Sequence, residues 1–284
     1  MHHSHSISDF KTYRSKIDLL PNFSIGFIPT MGALHEGHAS LIRQAKEEND
    51  LVIVSVFVNP TQFDKEEDLE KYPRDLEKDA TLLDSLGVNV LFAPNKEEIY
   101  GKDFFLRFNF GDLESGLEGA FRDSHFNGVA TIVSKLFNIV RPHKAYFGQK
   151  DLQQVAIIKD LVNALNFNLE IVRCPIVRDS HGLALSSRNE RLSEDEKKQA
   201  LILSKTIDLV RNSILNGEKV KEAIKNAKNL FKQTIGENPE YLEVVLADSL
   251  VPYNNESTEQ ELAVCIASPL GPVRLIDNCV FFLK

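Results

Sequence analysis

Apolar residues recur along this chain in two periods. Short β-branched or aromatic runs read as buried strands, and longer stretches with apolar positions three or four apart read as amphipathic helices. The runs predict strands over residues 24–29, 51–58, 88–93, 145–147 and 169–177. The helical spacing predicts helices over 39–49, 75–86, 129–140 and 152–165. The run at 51–58, Leu-Val-Ile-Val-Ser-Val-Phe-Val, has almost no polar face, as expected of a strand covered on both sides. Asn59-Pro60 breaks that strand, and Gly87 stops the 75–86 helix. Residues 64–74 are polar and acidic and read as a mobile loop or lid. Strand–helix–strand repetition predicts an α/β fold, a parallel sheet with helices on both faces, whose ligands gather at the carboxyl ends of the strands.

The character changes near residues 177–182. Ser193-Glu194-Asp195-Glu196 has the spacing of a capping box and opens a long helix, and a second helix fills 220–234. Strand-like runs follow at 241–247, 262–267, 273–276 and 280–283. Helices followed by strands predict a smaller α+β domain. The expected division is therefore 1–177 and 178–284, with neither an internal repeat nor a low-complexity linker between them.

Composition narrows the classes. The chain has 284 residues, 43% of them hydrophobic, enough for a sizeable core. No apolar run reaches membrane-spanning length, so no membrane partner is expected. A formal net charge of −8 weighs against a broad nucleic-acid surface, which needs clustered Lys and Arg. Cys174, Cys265 and Cys279 show neither zinc spacing nor a disulfide framework, which fits a reducing cytoplasm. The opening Met1-His2-His3-Ser4-His5-Ser6 lacks the apolar middle of a signal peptide and reads as a frayed tail or an appended tag.

The stretch that organises the chain is Pro29-Thr30-Met31-Gly32-Ala33-Leu34-His35-Glu36-Gly37-His38. It sits where the first strand hands over to a helix N-terminus, a natural seat for phosphate. Its histidines are three apart, not the four of a zinc-protease helix. The bland alternative is a helix cap with two surface histidines. Imidazoles at such a place stabilise charge building on phosphate oxygens, so ATP is expected there. Leu185-Ser186-Ser187-Arg188-Asn189 supplies two hydroxyls and a fork-shaped cation, although such loops are commonly just solvated turns. Phe147-Gly148-Gln149-Lys150-Asp151-Leu152-Gln153-Gln154 places a lysine at a helix start, where a plain surface lysine is the default. Asn59-Pro60-Thr61-Gln62-Phe63 offers Gln62 at the end of the second strand, or is simply a turn.

These four ordered blocks resemble the pantothenate synthetase (pantoate–β-alanine ligase) family of HIGH-motif nucleotidyltransferases. Tyr72-Pro73-Arg74-Asp75 and Arg274-Leu275-Ile276-Asp277-Asn278 are similar to it as well, and the match runs from about residue 10 to the C-terminus. Two mild departures are visible: Gln149 stands where many members have Glu, and Leu185 where Met is frequent.

The resemblance implies a Rossmann-like first domain and a C-terminal domain closing over an ATP site. It implies condensation of (R)-pantoate with β-alanine through a pantoyl-adenylate, releasing AMP and pyrophosphate. By resemblance, ATP contacts fall on Met31, Gly32, Ala33, Leu34, His35, Glu36, Gly37, His38, Gly148, Gln149, Lys150, Asp151, Val177, Leu185, Ser186, Ser187 and Arg188. The chemistry falls on His38, His35, Lys150, Ser187 and Arg188, and pantoate binding on Gln62 and Gln154. Lys150 and Arg188 are expected to close on the triphosphate from opposite domains. Mg²⁺ is expected on the phosphates, with no protein carboxylate singled out, and a homodimer through the first domain. The alternatives are a nucleotidyltransferase that keeps the adenylyl group on its product, a tRNA-charging enzyme, disfavoured by the acidic charge, and a nucleotide-binding regulator without turnover.

Overall fold

The computed structural model describes residues 1–18, 23–101, 106–254 and 259–284. By internal contacts the chain forms two compact units. Unit 1 comprises Met1–Phe110, Arg122–Gly148 and Ile157–Cys174, and unit 2 comprises Gly111–Phe121, Gln149–Ala156 and Pro175–Lys284.

Unit 1 is built on six parallel strands: β1 (His2–Ser4), β2 (Ile25–Thr30), β3 (Leu51–Val56), β4 (Val90–Phe92), β5 (Lys144–Gly148) and β6 (Glu170–Cys174). Their spatial order is β1-β4-β3-β2-β5-β6. Every pairing is parallel, with Ile25 opposite Leu51 and Thr30 opposite Val56 in the central pair. Side chains alternate across a strand, so each strand contributes to two cores. On one face Ile28, Val52, Val54 and Leu91 pack with Leu41, Ile42 and Ala45 of α2 (Glu36–Glu48) and Leu83 of α4 (Leu76–Ser85). On the other, Phe92 meets Phe10 of α1 (Ile7–Ile17), and Phe27 and Phe147 meet Phe137 of α6 (His125–Val140). Burial on both faces is why 51–58 carries so little polarity. The chain runs from β2 outward to β3 on one side, and later to β5 on the other. The carboxyl ends of β2 and β5 therefore flank the point where the strand order reverses, the place where open α/β sheets bind ligands.

One sequence expectation is corrected in unit 1. The N-terminus is not a frayed tail: His2, His3 and Ser4 pair in register with Val90, Leu91 and Phe92, and Ser4 is fully buried. The 64–74 segment, expected as a mobile loop or lid, carries local structure. It contains α3 (Glu66–Glu70), and Tyr72 beyond it is buried with its ring edge-on to Phe63 at 5.7 Å. A further short helix, α5 (Lys96–Tyr100), follows β4.

Unit 2 holds an antiparallel sheet of β7 (Tyr241–Leu246), β8 (Gln260–Leu270) and β9 (Val273–Leu283), in that order. Leu262, Val264 and Ile266 of β8 pack with α8 (Glu194–Leu215) and α9 (Val220–Ile235). The alternate residues Ala263, Cys265 and Ala267 pack with Leu117, Leu152 and Ala156, which is why the 111–121 and 149–156 segments belong to this unit. The helix starting at Leu152 is α7 (Leu152–Ala164). The expected capping box is present: Ser193 Oγ accepts from Glu196 N, and Glu196 Oε2 accepts from Ser193 N at 2.8 Å. The runs at 273–276 and 280–283 are one continuous strand, with Asp277 and Asn278 inside it.

Candidate active site

In unit 1 the turn after β2 is held from within. Thr30 Oγ1 donates to Ser55 O at 2.8 Å and accepts from Gly32 N at 3.2 Å. Gly32 and Ala33 are both left-handed, at φ 82° and 51°. A Cβ on Gly32 would lie 2.8 Å from Asp79 Oδ2, so glycine is required by both space and conformation. Asp79, on α4 and 3% exposed, accepts from Ala33 N at 2.9 Å and Leu34 N at 2.8 Å. Burial pushes its carboxyl up, while the two amide bonds pull it down by favouring the anion.

This turn delivers His35 as N-cap of α2, which begins earlier than the helical pattern alone suggested. His35 Nδ1 accepts from Gly37 N at 3.1 Å, and His38 Nδ1 accepts from His35 N at 3.3 Å. The rings lie 4.2 Å apart between centroids. The cap and the paired histidines are thus one feature, and part of the amide supply expected for phosphate is taken by imidazole. Because each Nδ1 accepts, the neutral rings carry their proton on Nε2, the atom able to donate to an anion. Glu36 is exposed and ion-paired with Arg43.

Gln62 lies in the same unit, on a turn with Pro60 after β3. It is 9% exposed, and its Nε2 donates to Met31 Sδ at 3.1 Å, bringing two expected site residues together. Its Oε1 accepts from Asn59 Nδ2 at 2.9 Å, and Tyr100 Oη donates to Asn59 Oδ1 at 2.5 Å. Its carbonyl accepts from His125 Nδ1 at 2.8 Å and Arg122 Nη2 at 3.4 Å. Gly128 admits this turn: a Cβ there would sit 2.3 Å from Thr61 O. Gly148 ends β5, the neighbour of β2.

Unit 2 carries the other expected residues. Gln149, Lys150 and Asp151 form a single 3-10 turn before α7, with Lys150 Nζ 3.7 Å from Asp151 Oδ1. Gln154 is half-buried on the first turn of α7. Leu185 N donates to Val177 O at 3.0 Å, closing a hairpin whose far end is the Asp179–Gly182 turn. Ser187–Arg191 is a 3-10 turn capped by Ser186, whose Oγ accepts from Arg188 N at 3.3 Å. Lys150 and Arg188 belong to the same compact unit, so the picture of two cations carried by opposing domains has no support in this division.

Asp79, Arg122 and His125 were not singled out from sequence, and Asn59 was read only as part of a turn block. One signal was available for Asp79: it lies four residues before Leu83, on the buried face of its helix. No thiol is poised as a nucleophile. Burial pushes Cys174 up to about 12, Cys279 up to about 11, and Cys265 up as well.

The sequence profile of the family described as Pantoate-beta-alanine ligase matches residues 3–280. The chain belongs to the pantoate–β-alanine ligase family. A pantothenate synthetase of Clostridium novyi (strain NT) is 50% identical over 264 residues, 92% of each chain. That of Thermotoga neapolitana is 47% identical over 261 residues, 90% of this chain and 91% of the relative. The crystal structure of the Thermus thermophilus ligase superposes with a TM-score of 0.91 at 40% identity, over 98% of this chain and 99% of that one. The Francisella tularensis ligase, complexed with beta-gamma ATP and beta-alanine, gives a TM-score of 0.82 at 38% identity over 99% and 97%. The fold described above, a six-stranded parallel sheet with helices and a small antiparallel sheet, matches that of the Thermus thermophilus ligase.

Proposed function

We propose that this chain condenses (R)-pantoate with β-alanine at the expense of ATP, and that the reaction runs through pantoyl-adenylate. A pantoate carboxylate oxygen attacks the α-phosphorus and the bond to pyrophosphate breaks. The β-alanine amine then attacks the acyl carbon, the C–O bond to AMP breaks, and the amine gives up a proton. Both steps need alignment and charge stabilisation more than a protein nucleophile.

The observation that carries this reading is the turn from Met31 to His38 at the reversal point of the sheet, with both imidazoles set at the start of α2 by acceptance at Nδ1, which places the proton of each neutral ring on Nε2. His38 donates to an oxygen of the α-phosphate region, and His35 assists. Met31, Gly32, Ala33, Leu34, Glu36, Gly37 and Gly148 supply the surrounding contacts to ATP. Lys150, Ser187 and Arg188 neutralise the triphosphate, and Gln149, Asp151, Val177, Leu185 and Ser186 complete the nucleotide set. Gln62 and Gln154 bind pantoate. The Nε2 of Gln62 now donates to a thioether, a weak acceptor readily exchanged for a substrate hydroxyl or carboxylate. The nucleotide enters as its Mg²⁺ complex. In this reading the cation is held by the phosphates, with few protein ligands; among the described residues no group of three His, Cys, Asp or Glu could hold a metal. Among them also, no helix is long and apolar enough to cross a membrane. A cytoplasmic homodimer is part of this reading.

The test follows the oxygen. With pantoate labelled by ¹⁸O in its carboxylate, one label is expected in the AMP phosphate. Label in pyrophosphate or none in AMP refutes the adenylate. A labelled adenylyl group that stays on the product instead would indicate a nucleotidyltransferase.

A further inference from the structure

Strand β9 carries two buried polar residues that the reaction leaves unexplained, Asp277 and Asn278, 4% and 3% exposed. They interrupt the apolar run from Leu275 to Leu283, and polar groups buried this deeply require partners. Asn278 Nδ2 donates to the carbonyls of Gln149 at 2.9 Å and Lys150 at 3.0 Å, and its Oδ1 accepts from Gln149 Nε2 at 3.3 Å. Every polar atom of this side chain is therefore spent on one turn.

Asp277 braces that arrangement. Its Oδ1 accepts from Asn278 N at 2.8 Å, and its carboxylate takes the Arg178 guanidinium through two bonds of 2.7 and 2.9 Å. The same guanidinium donates to Gly182 O at 3.1 Å and Asn278 O at 3.4 Å. Two adjacent residues of one strand thus tie down the turn that carries Lys150 and the hairpin that leads into Leu185–Arg188.

We propose that Asn278 is a positioning residue of the ligase reaction, fixing the backbone of Gln149 and Lys150 so that the Lys150 ammonium meets the triphosphate. A lysine is a point charge on a flexible four-carbon stem, so its reach is set by where its backbone is anchored. The anchor here is one amide group holding two successive carbonyls. Asn278 touches no substrate in this account and acts through Lys150. The proposal rests on the reading of Lys150 as a phosphate-binding residue.

The test is a double-mutant cycle on the full-length enzyme, with Asn278→Leu, Lys150→Ala and the pair together. Leucine approximates the size of asparagine and removes the amide. Misplacing a reacting group by about 1 Å costs on the order of 10²-fold, and a loss of that order is expected in kcat/KM for ATP. KM for pantoate should stay unchanged. The double variant should be no worse than Lys150→Ala alone, because both changes remove the same interaction. Full activity in Asn278→Leu beside a damaged Lys150→Ala overturns the proposal, as does a loss that simply adds in the double variant, or an equal rise in KM for pantoate. Full activity in Lys150→Ala instead overturns the reading beneath it. If Asn278→Leu does not fold, Asn278→Ser takes its place, and failure of both to fold overturns a purely local role.

Discussion

Removing the carboxylate of Asp79 is the sharpest probe of how the histidine turn is held. In Asp79→Ala the amides of Ala33 and Leu34 lose acceptors at 2.9 and 2.8 Å. An orphaned buried donor costs about 1–3 kcal/mol, so the pair sets a range of about 2–6 kcal/mol. Two features favour its lower part. The burial that pushes the Asp79 carboxyl up is relieved, and Asp79 borders a cavity of about 430 Å³ through which water can reach the amides. A loss of roughly 2–3 kcal/mol corresponds to a fall in melting temperature of roughly 5–10 °C for a chain of this size. Asp79→Asn keeps one acceptor but turns an NH₂ toward the other amide, so its melting point should fall between the two. Because Leu34 leads directly into the N-cap His35, kcat should drop together with stability. Scanning calorimetry measures the shift, and amide hydrogen exchange at Ala33 and Leu34 localises it. An Asp79→Ala chain that melts with its parent and protects both amides equally would show that the carboxylate does not hold this turn.

Three further outcomes are expected. His38→Ala should lose about 10²–10³ in kcat with little change in KM for ATP, since it removes a donor aimed at developing charge; a normal kcat in steady-state assays excludes that role. Gln154→Ala should weaken pantoate binding and leave ATP binding intact; calorimetric titrations that show equal losses would make it a nucleotide residue. Glu48 is held by Lys144 at 2.8 Å, Gln44 at 3.0 Å and Tyr146 at 3.0 Å, and these bonds, led by Lys144, hold its carboxyl down to about 2 from 4.5. The folded chain therefore binds this proton less tightly than the unfolded one, so the stabilisation is full above pH 4.5 and lost as pH falls toward 2. Acid melts should show that slope diminished in Glu48→Gln; an identical slope would remove Glu48 from the balance.

Much of this architecture was legible because burial leaves a period in the sequence. Residues 51–58 announced a two-faced strand, and Ser193 with Glu196 announced a helix start. The failures share one cause: a polar residue inside an element is indistinguishable from a loop residue until its distant partner is known. Asp277 and Asn278 split β9 into two apparent strands because Arg178 and the Gln149–Lys150 carbonyls, which satisfy them, are far away in the chain. The polar His2-His3-Ser4 looked frayed because a short edge strand draws on β4 for its hydrogen bonds rather than on its own hydrophobicity. Asp79 looked like one more charge on an acidic helix, since its partners are backbone amides 45 and 46 residues earlier. The paired histidines were legible as chemistry, but their service as a helix cap required the geometry of Nδ1.

Joining an acid to an amine with release of AMP is the activity on which the assigned residue roles depend. Incubation with ATP, Mg²⁺, (R)-pantoate and β-alanine, followed by chromatographic quantitation of nucleotides and pantothenate, tests it directly. AMP and pantothenate are expected in equal amounts, with free AMP absent in steady turnover when either pantoate or β-alanine is omitted. Release of ADP, or sustained AMP formation that ignores β-alanine, would contradict it.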